Sequence, residues 1–178
     1  MKYKVRVNEE DYIRFNIFHM NHSKAGKRSK NIQRVQYPIL SLVIILIFFL
    51  SGVGYRLIIA EAVFMTVFCV LWCIFLPKTM EKNIRKNIKK MKAEGKLPYH
   101  ADSEIEFQES MIVATSEQGE IHINYEGIEN IFLEQDYLYI FFGVAQAFII
   151  PLHCLGEDKE RVVNYIKEKT GVSTMAPI

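Results

Sequence analysis

The sequence has no lysine and no arginine between residues 97 and 158, although the whole chain carries 22 of them and a formal net charge of +2. Twelve carboxylates fall in that stretch: Asp102, Glu104, Glu106, Glu109, Glu117, Glu120, Glu126, Glu129, Glu134, Asp136, Glu157 and Asp158. Phosphorylated head groups and nucleic acids are bound through clustered lysine and arginine. The absence excludes both ligand classes for this region and leaves a cationic protein partner, an added peptide strand or the chain's own basic segments.

Cysteine is scarce, and the familiar catalytic motifs are missing. Cys69 and Cys73 lie four residues apart in an apolar run and Cys154 lies far away, so no disulfide framework is expected. The sequence has no glycine-rich phosphate loop, no H-E-x-x-H and no G-x-S-x-G. His19 and His22 could form half of a metal site, but further ligands are not nearby. We expect no catalytic residue, no metal site and no cofactor.

Two long apolar runs dominate the chain. Residues 38–55 and 57–76 contain one ionisable carboxylate, Glu61, and are separated by a small-residue break at Ser51, Gly52 and Gly54. Each run approaches the roughly 20 residues that a helix needs to cross a bilayer. The pattern predicts a transmembrane helical hairpin at 37–77, with Pro38 at the first helical position and Pro77 at a stop or bend.

Basic residues flank this hairpin on both sides. Five precede the first run and eight follow the second: Lys24, Lys27, Arg28, Lys30, Arg34, Lys78, Lys82, Arg85, Lys86, Lys89, Lys90, Lys92 and Lys96. The connecting loop offers only Arg56. The positive-inside rule predicts a multi-pass protein of the inner (plasma) membrane with both termini in the cytoplasm.

The segments next to the hairpin differ in pattern. Residues 1–36 predict a short strand, a helix that begins after Asn8, and a basic linker from residue 23. Residues 78–96 predict a basic amphipathic stalk helix, whose membrane-proximal charges are Arg85, Lys86, Lys89 and Lys90. We expect this stalk to dock on the acidic domain or to lie on an anionic leaflet. Nucleic acid is disfavoured because no aromatic residues interleave with the lysines.

Residues 97–172 change to the period of two that is typical of strands. About six short antiparallel strands, closed by a C-terminal helix near Gly156, predict a pleckstrin-homology-like (PH-like) sheet domain and an α+β membrane protein overall. Large rings lie on both faces of the strand at 137–142, so it is expected to be buried by the core and by the N-terminal helix. If this strand instead contacts a ligand, the candidate interaction surface consists of Asp136, Tyr137 and Tyr139.

The segment EEDYIRFNIFHMNHS, the two apolar runs and the segment IFLEQDYLYIFFGVAQAFIIP together resemble the YcxB-like family of small bacterial membrane proteins. The resemblance covers nearly the whole chain. The residues that carry the resemblance are Asp11, Tyr12, Phe15 and Asn16, together with the closing strand at 146–151. It implies a two-span anchor with a cytoplasmic C-terminal domain, and it implies no catalytic residue or cofactor.

These patterns favour a membrane-tethered binding or regulatory module with an unidentified protein partner, besides the lipid bilayer itself. The alternative is a small membrane-complex subunit or immunity-type protein that acts through its hairpin. An enzyme with an unfamiliar site is a third class, disfavoured because the carboxylates alternate along strands or lie in turns. Homo-oligomerisation stays open.

Overall fold

The computed structural model describes residues 1–96, 99 and 101–172, and the backbone of 174–175. The chain divides into two compact units. The first comprises Met1–His19 together with Asn87–Ile178, and the second comprises Met20–Lys86. The N-terminal residues and the C-terminal half of the chain therefore fold together, and the apolar runs form a unit of their own.

The second unit is built from two long helices. Helix α1 is Glu9–His22 and its last three residues belong to this unit, helix α2 is Lys24–Leu50, and helix α3 is Tyr55–Ala93. The most apolar windows of α2 and α3 have mean hydropathies of 1.8 and 2.5, with 0% and 6% of their residues buried. Both helices are thus long and apolar enough to cross a membrane, and their large side chains face outward.

The basic segment between α1 and the apolar run is helical, which corrects its prediction as a linker. Ser23 begins α2 as its N-cap, since its hydroxyl accepts a 3.0 Å hydrogen bond from the N–H of Gly26. Gly26 also lies so close to the preceding turn that a Cβ there would come within 2.1 Å of the backbone oxygen of Met20. Only glycine fits this position without a backbone shift.

Both prolines lie inside helices, so Pro38 is not a helix start and Pro77 is not a helix stop, while a bend at Pro77 stays a prediction. Pro38 is within α2 and Pro77 is within α3. Each removes one hydrogen bond from its helix. The loss does not end either helix, because α2 extends for several turns on both sides of Pro38 and α3 continues for four turns beyond Pro77. The predicted stalk is consequently the C-terminal part of α3.

Two sheets, antiparallel except for one short parallel pair, make up most of the first unit. Sheet A has the order β1-β2-β3-β4 and sheet B the order β7-β6-β5-β8. The strands are β1 Lys2–Arg6, β2 Asp102–Phe107, β3 Met111–Ser116, β4 Gly119–Asn124, β5 Asn130–Glu134, β6 Tyr137–Phe141, β7 Ala147–Pro151 and β8 Thr174–Met175. β1 pairs with β2, so the N-terminal strand joins the sheet formed by the C-terminal half of the chain. The short β8, parallel to β5, was not predicted.

One hydrophobic core joins these sheets to the helices of the first unit. Helix α4, Lys159–Thr170, buries Val162, Val163 and Ile166 and ends at Gly171, which has the left-handed φ of 65°. The fold is therefore α+β: two long apolar helices, antiparallel sheets and a C-terminal helix.

Strand β6 is buried on both faces, as its aromatic sequence predicts. Leu138 and Ile140 have 0% of their surface exposed. On the other face, the ring of Tyr139 lies 4.8 Å from that of Phe18 in α1. Phe141 lies 5.8 Å from Phe15 of the same helix. Helix α1 is thus the second cover of this strand.

Candidate binding cleft beside strand β7

Helix α1 is fixed at its N-terminus by a reciprocal cap. The side-chain oxygen of Asn8 accepts from the N–H of Asp11 at 3.0 Å, and Oδ2 of Asp11 accepts from the N–H of Asn8 at 2.8 Å. The pair satisfies two backbone donors that a helix start leaves open. The spacing Asn-x-x-Asp carries this signal in the sequence, although only the N-cap role of Asn8 was predicted from it.

The predicted interaction surface on β6 is divided by the structure. Tyr139 has 1% of its surface exposed and belongs to the core, which corrects its assignment to a surface. Tyr137 is half-buried, and its hydroxyl donates to Oδ1 of Asp11 at 2.7 Å. Asp136 is exposed in the two-residue turn between β5 and β6. These three residues do not form one exposed patch.

Burial and the neighbouring carboxylate of Asp11 determine the protonation state of the Tyr137 phenol. Burial, followed by the hydrogen bond to Asp11, raises the pKa of Tyr137 to about 12, because both disfavour the phenolate. The Arg14 guanidinium lies 5.9 Å from the centre of the Tyr137 ring. Tyr137 is consequently a neutral donor that holds α1 on β6.

The acidic residues of β2 face a row of cations on β1. Register places Lys2 opposite Glu106, Lys4 opposite Glu104 and Arg6 opposite Asp102. Lys2 Nζ lies 2.7 Å from Glu104 Oε1, and Arg6 Nε lies 3.5 Å from Asp102 Oδ1. Cross-strand pairs of opposite charge stabilise an antiparallel pair. The cations of β1 thus neutralise part of the negative charge of the acidic stretch. The sequence alone does not indicate this pairing, because β1 and β2 lie far apart in the chain.

The four predicted membrane-proximal charges of α3 have local partners or face solvent. Arg85 pairs with Glu81 and Lys90 with Glu94, each one turn away, while Lys86 and Lys89 are exposed. Further along, Lys92 Nζ lies 2.7 Å from Glu9 Oε2 of α1.

The ion pair between Lys92 and Glu9 lies within the first unit and joins the end of the predicted stalk to helix α1. Among the described residues of that unit, neither Lys90 nor Lys92 forms an ion pair with a sheet carboxylate. The expected docking of the stalk on the acidic sheet therefore has no ion pair from these residues, and the observed contact is with helix α1.

A half-open cleft of about 280 Å³ lies within the first unit. It is lined by α1, by the inner face of sheet A and by β7 with its preceding loop: Val7, Tyr12, Phe15, Tyr99, Ser103, Ile105, Ala114, Ser116, Ile121, Phe142, Ala145, Gln146, Ala147, Phe148 and Ile149. Most of these side chains are apolar. Ile121 is 42% exposed although it points to the inner face of sheet A, so the two sheets do not fully cover each other here.

Sheet A and β7 present different surfaces to the cleft. From sheet A the lining residues alternate, as with Ser103 and Ile105 or Ala114 and Ser116, so sheet A contributes a face. From β7 and its loop, five consecutive residues line the cleft, Ala145 to Ile149. A strand whose successive residues all border one space presents its edge to that space, because successive side chains point to opposite faces.

Two backbone units on this edge are unpaired. The N–H of Phe142 donates to the oxygen of Gln146 at 3.1 Å, which sets the alternation of the β6–β7 ladder. Ala147 and Ile149 then direct their N–H and C=O groups away from β6. Within the described part of the chain these groups have no hydrogen-bond partner. Pro151 lies two residues after Ile149, so its nitrogen also points away from β6. Its missing N–H therefore removes no hydrogen bond from the β6–β7 ladder.

Stacked aromatic rings line the cleft, and a polar contact holds the loop beside it. The rings of Tyr12 and Tyr99 stack with centroids 4.8 Å apart, and burial raises the pKa of Tyr99. The loop before β7 is held by His19, whose Nε2 donates to the carbonyl oxygen of Val144 at 2.7 Å. The cleft therefore combines apolar side chains, a pair of stacked tyrosine rings and the edge of β7.

The described residues contain no group of three or more His, Cys, Asp or Glu side chains placed to hold a metal ion. Comparisons of the chain with protein-family models, with curated proteins and with solved structures found no match. The lining of the cleft, largely apolar side chains beside a strand edge, is chemically suited to an extended or apolar group.

Proposed function

We propose that the protein is a membrane-tethered binding or regulatory module. In this proposal α2 and α3 cross the inner membrane as a two-span anchor, both termini are cytoplasmic, and the first unit binds a protein partner. The observation that carries the proposal is the contrast between the units. The first has a closed core around residues such as Ile131 and Ile140, each 0% exposed, whereas the second exposes large apolar side chains such as Phe49 at 70%.

The outward-facing apolar side chains support the anchor. In water, an exposed apolar surface of this extent would drive association, while a bilayer solvates it. The basic residues around both apolar runs support the orientation, because cytoplasmic flanks are enriched in lysine and arginine.

The arrangement of the first unit supports a PH-like domain. Two packed antiparallel sheets followed by a helix match that split barrel, with α1, α2 and α3 inserted between β1 and β2. The resemblance to the YcxB-like family points to the same organisation. Fold alone does not assign a ligand, so the binding role rests on the cleft and its unpaired edge.

Cysteine labelling in intact cells tests the orientation. In a chain whose three native cysteines are replaced by alanine, Ser51→Cys lies in the predicted outer loop and Ser116→Cys in the first unit. A membrane-impermeant thiol reagent is expected to label the former in intact cells and the latter only after lysis. Labelling of Ser116→Cys in intact cells, with Ser51→Cys shielded, would overturn the orientation.

Photocrosslinking locates the working surface. A photoreactive residue at exposed Glu126 probes the first unit, and one at Phe49 probes the hairpin. Capture of a defined protein from Glu126 or elsewhere on the first unit supports the proposal. Capture from Phe49 alone would transfer the function to the hairpin, as expected of a small membrane-complex subunit or immunity-type protein.

A further inference from the structure

Helices α2 and α3 are joined near one end of the hairpin by an aromatic contact. The indole N–H of Trp72 donates to the carbonyl oxygen of Gln33 at 3.1 Å, and the ring centres of Tyr37 and Trp72 are 4.6 Å apart. The two helices run in opposite directions, because only residues 51–54 connect them. Residues before Gln33 and residues after Trp72 therefore lie at the same end of the hairpin.

Cations of both helices lie beyond this contact at a similar level. Lys27 is six residues before Gln33 and Lys78 is six residues after Trp72, so each lies about 9 Å from the contact along its helix. Five exposed cations surround this level and are called the basic band: Lys24, Lys27 and Arg28 of α2, with Lys78 and Lys82 of α3. The hairpin thus brings together two groups of charges that both apolar runs separate in the sequence.

The basic band has no counter-charge of its own. None of its five side chains forms an ion pair among the described residues. Helix α2 contains no carboxylate, and Glu81 of α3 is engaged in an ion pair one turn further along. Lys24 with Arg28, and Lys78 with Lys82, are like charges one helical turn apart, a spacing that destabilises a helix. An anion from outside the chain would relieve this repulsion.

Exposed apolar side chains connect the basic band to a membrane surface. Arg28, Ile32, Val35 and Ile39 follow one another at helical spacing along one stripe of α2. The last three are 57%, 51% and 56% exposed. In the proposed anchor, lipid chains cover this stripe as far as Ile32, so the head groups lie one turn away beside Arg28. Trp72 marks the same boundary, because its ring favours the interface between lipid and water.

The surroundings of the basic band favour a lipid over a soluble polyanion. The band is continuous with the apolar stripe, so an anion beside it lies next to hydrocarbon, as a lipid head group does. Nucleic acid is disfavoured, because no aromatic side chain lies between the cations of either helix in the band to stack on a base.

We propose that the basic band binds the head groups of anionic phospholipids and enriches these lipids around this end of the hairpin. This inference rests on the proposed membrane anchor and adds a lipid class to it. Lysine and arginine donate charge-assisted hydrogen bonds to phosphate oxygens. A zwitterionic lipid carries its own cation beside the phosphate, whereas an anionic lipid leaves the negative charge for the protein.

The test uses the fluorescence of Trp72, the single tryptophan of the chain, as a local readout. The full-length protein is reconstituted into phosphatidylcholine vesicles that contain a varied fraction of brominated phosphatidylglycerol or of brominated phosphatidylcholine. Bromine quenches tryptophan only at short range, so quenching reports which lipids lie beside Trp72. Phosphatidylglycerol is expected to occupy these positions about fivefold more readily, the contribution of one lysine or arginine near an anionic leaflet. Added sodium chloride is expected to lower this preference.

Neutral substitutions in the basic band test its role. A variant with three changes is expected to lower the preference toward one: Lys27→Gln, Arg28→Gln and Lys78→Gln. Its quenching by brominated phosphatidylcholine should stay unchanged, which shows that the hairpin is still inserted. The matched control removes three exposed cations of α4 in the first unit and is expected to keep the preference: Lys159→Gln, Arg161→Gln and Lys169→Gln. An equal fall in both variants would overturn the site, because net charge alone would then explain the preference.

The outcomes separate this inference from the anchor on which it rests. Equal quenching of Trp72 by the two brominated lipids would overturn the lipid preference and retain the anchor. Quenching by neither lipid would overturn both proposals, because Trp72 would then lie outside the bilayer. A preference that inorganic phosphate or RNA abolishes at constant ionic strength would overturn the inference as well, because the basic band would then bind a soluble anion.

Discussion

The hydroxyl of Tyr137 donates a 2.7 Å hydrogen bond to Oδ1 of Asp11, a residue 126 positions earlier in the chain. The other carboxylate oxygen of Asp11 caps helix α1 through the N–H of Asn8. One buried carboxylate, 5% exposed, therefore both starts α1 and attaches it to β6. Because α1 also borders the cleft through Tyr12 and Phe15, this contact positions one wall of the proposed binding site.

Tyr137→Phe is expected to destabilise the first unit by about 2 kcal/mol, because the substitution leaves a buried carboxylate oxygen without its donor. The measurement is the free energy of local opening from hydrogen exchange of α1 and β6 amides in the full chain. Tyr12→Phe is the matched control, since no hydrogen bond of the Tyr12 hydroxyl is seen among the described residues. Equal effects of the two substitutions would contradict the role of the Tyr137 contact.

High pH should loosen the same contact. Burial and Asp11 raise the pKa of Tyr137 to about 12, above its unfolded value of about 10. A raised pKa contributes stability that is fully present below about pH 10 and is lost as the pH rises toward 12. Burial likewise raises the pKa of Tyr139 and Tyr125, so they act in the same direction.

The expected result is a fall in unfolding free energy across that range, measured with tyrosinate absorbance in parallel. Tyr137→Phe should show a shallower fall, because one of the contributing phenols is gone. A stability that stays constant up to pH 12 would contradict this linkage.

Gly26→Ala is expected to destabilise the second unit by about 1 to 3 kcal/mol, because the added Cβ collides with the backbone at Met20. Gly54→Ala is the control, since a Cβ there meets nothing within 4 Å. Denaturant titration in detergent, followed through the fluorescence of Trp72, compares the two variants. A similar midpoint for both would show that the turn between α1 and α2 relaxes without cost.

The Lys92–Glu9 ion pair is expected to give a small, salt-sensitive contribution, because Lys92 is more than half exposed. Lys92→Glu should speed hydrogen exchange at the start of α1 at low salt, and the exchanged pair Lys92→Glu with Glu9→Lys should restore it. Lys89→Glu, on an exposed position of the same helix, should have no such effect. If the double substitution restores nothing, the contact is not a specific pair.

Much of the architecture followed from sequence periodicity. Long apolar runs, strands of period two and the helix before Gly171 are all local patterns, and the structure has each of them. The aromatic pattern of β6 also predicted burial on both faces. These features follow from side-chain spacing, which alone determines which face of an element is apolar.

Predictions from local sequence patterns were wrong where the environment of a residue depended on residues far away in the chain. Pro38 and Pro77 resemble helix boundaries, yet each lies in a helix long enough to tolerate one missing bond. The linker before Pro38 is helical because it continues the helix that Ser23 starts. Tyr139 looks like its neighbour Tyr137 in sequence, but Phe18 covers it.

The sequence by itself determined the two apolar helices, the antiparallel strands, the closing helix and the strong separation of charge along the chain. Tertiary structure decided what those charges and edges face: β1 brings cations to β2, α1 covers β6 through Asp11 and Tyr137, and β7 is left with a free edge above sheet A. Hydrophobic spacing acts over a few residues and can be read locally. Partners separated by more than a hundred residues are chosen only when the whole core packs, because burial and register then determine which groups meet.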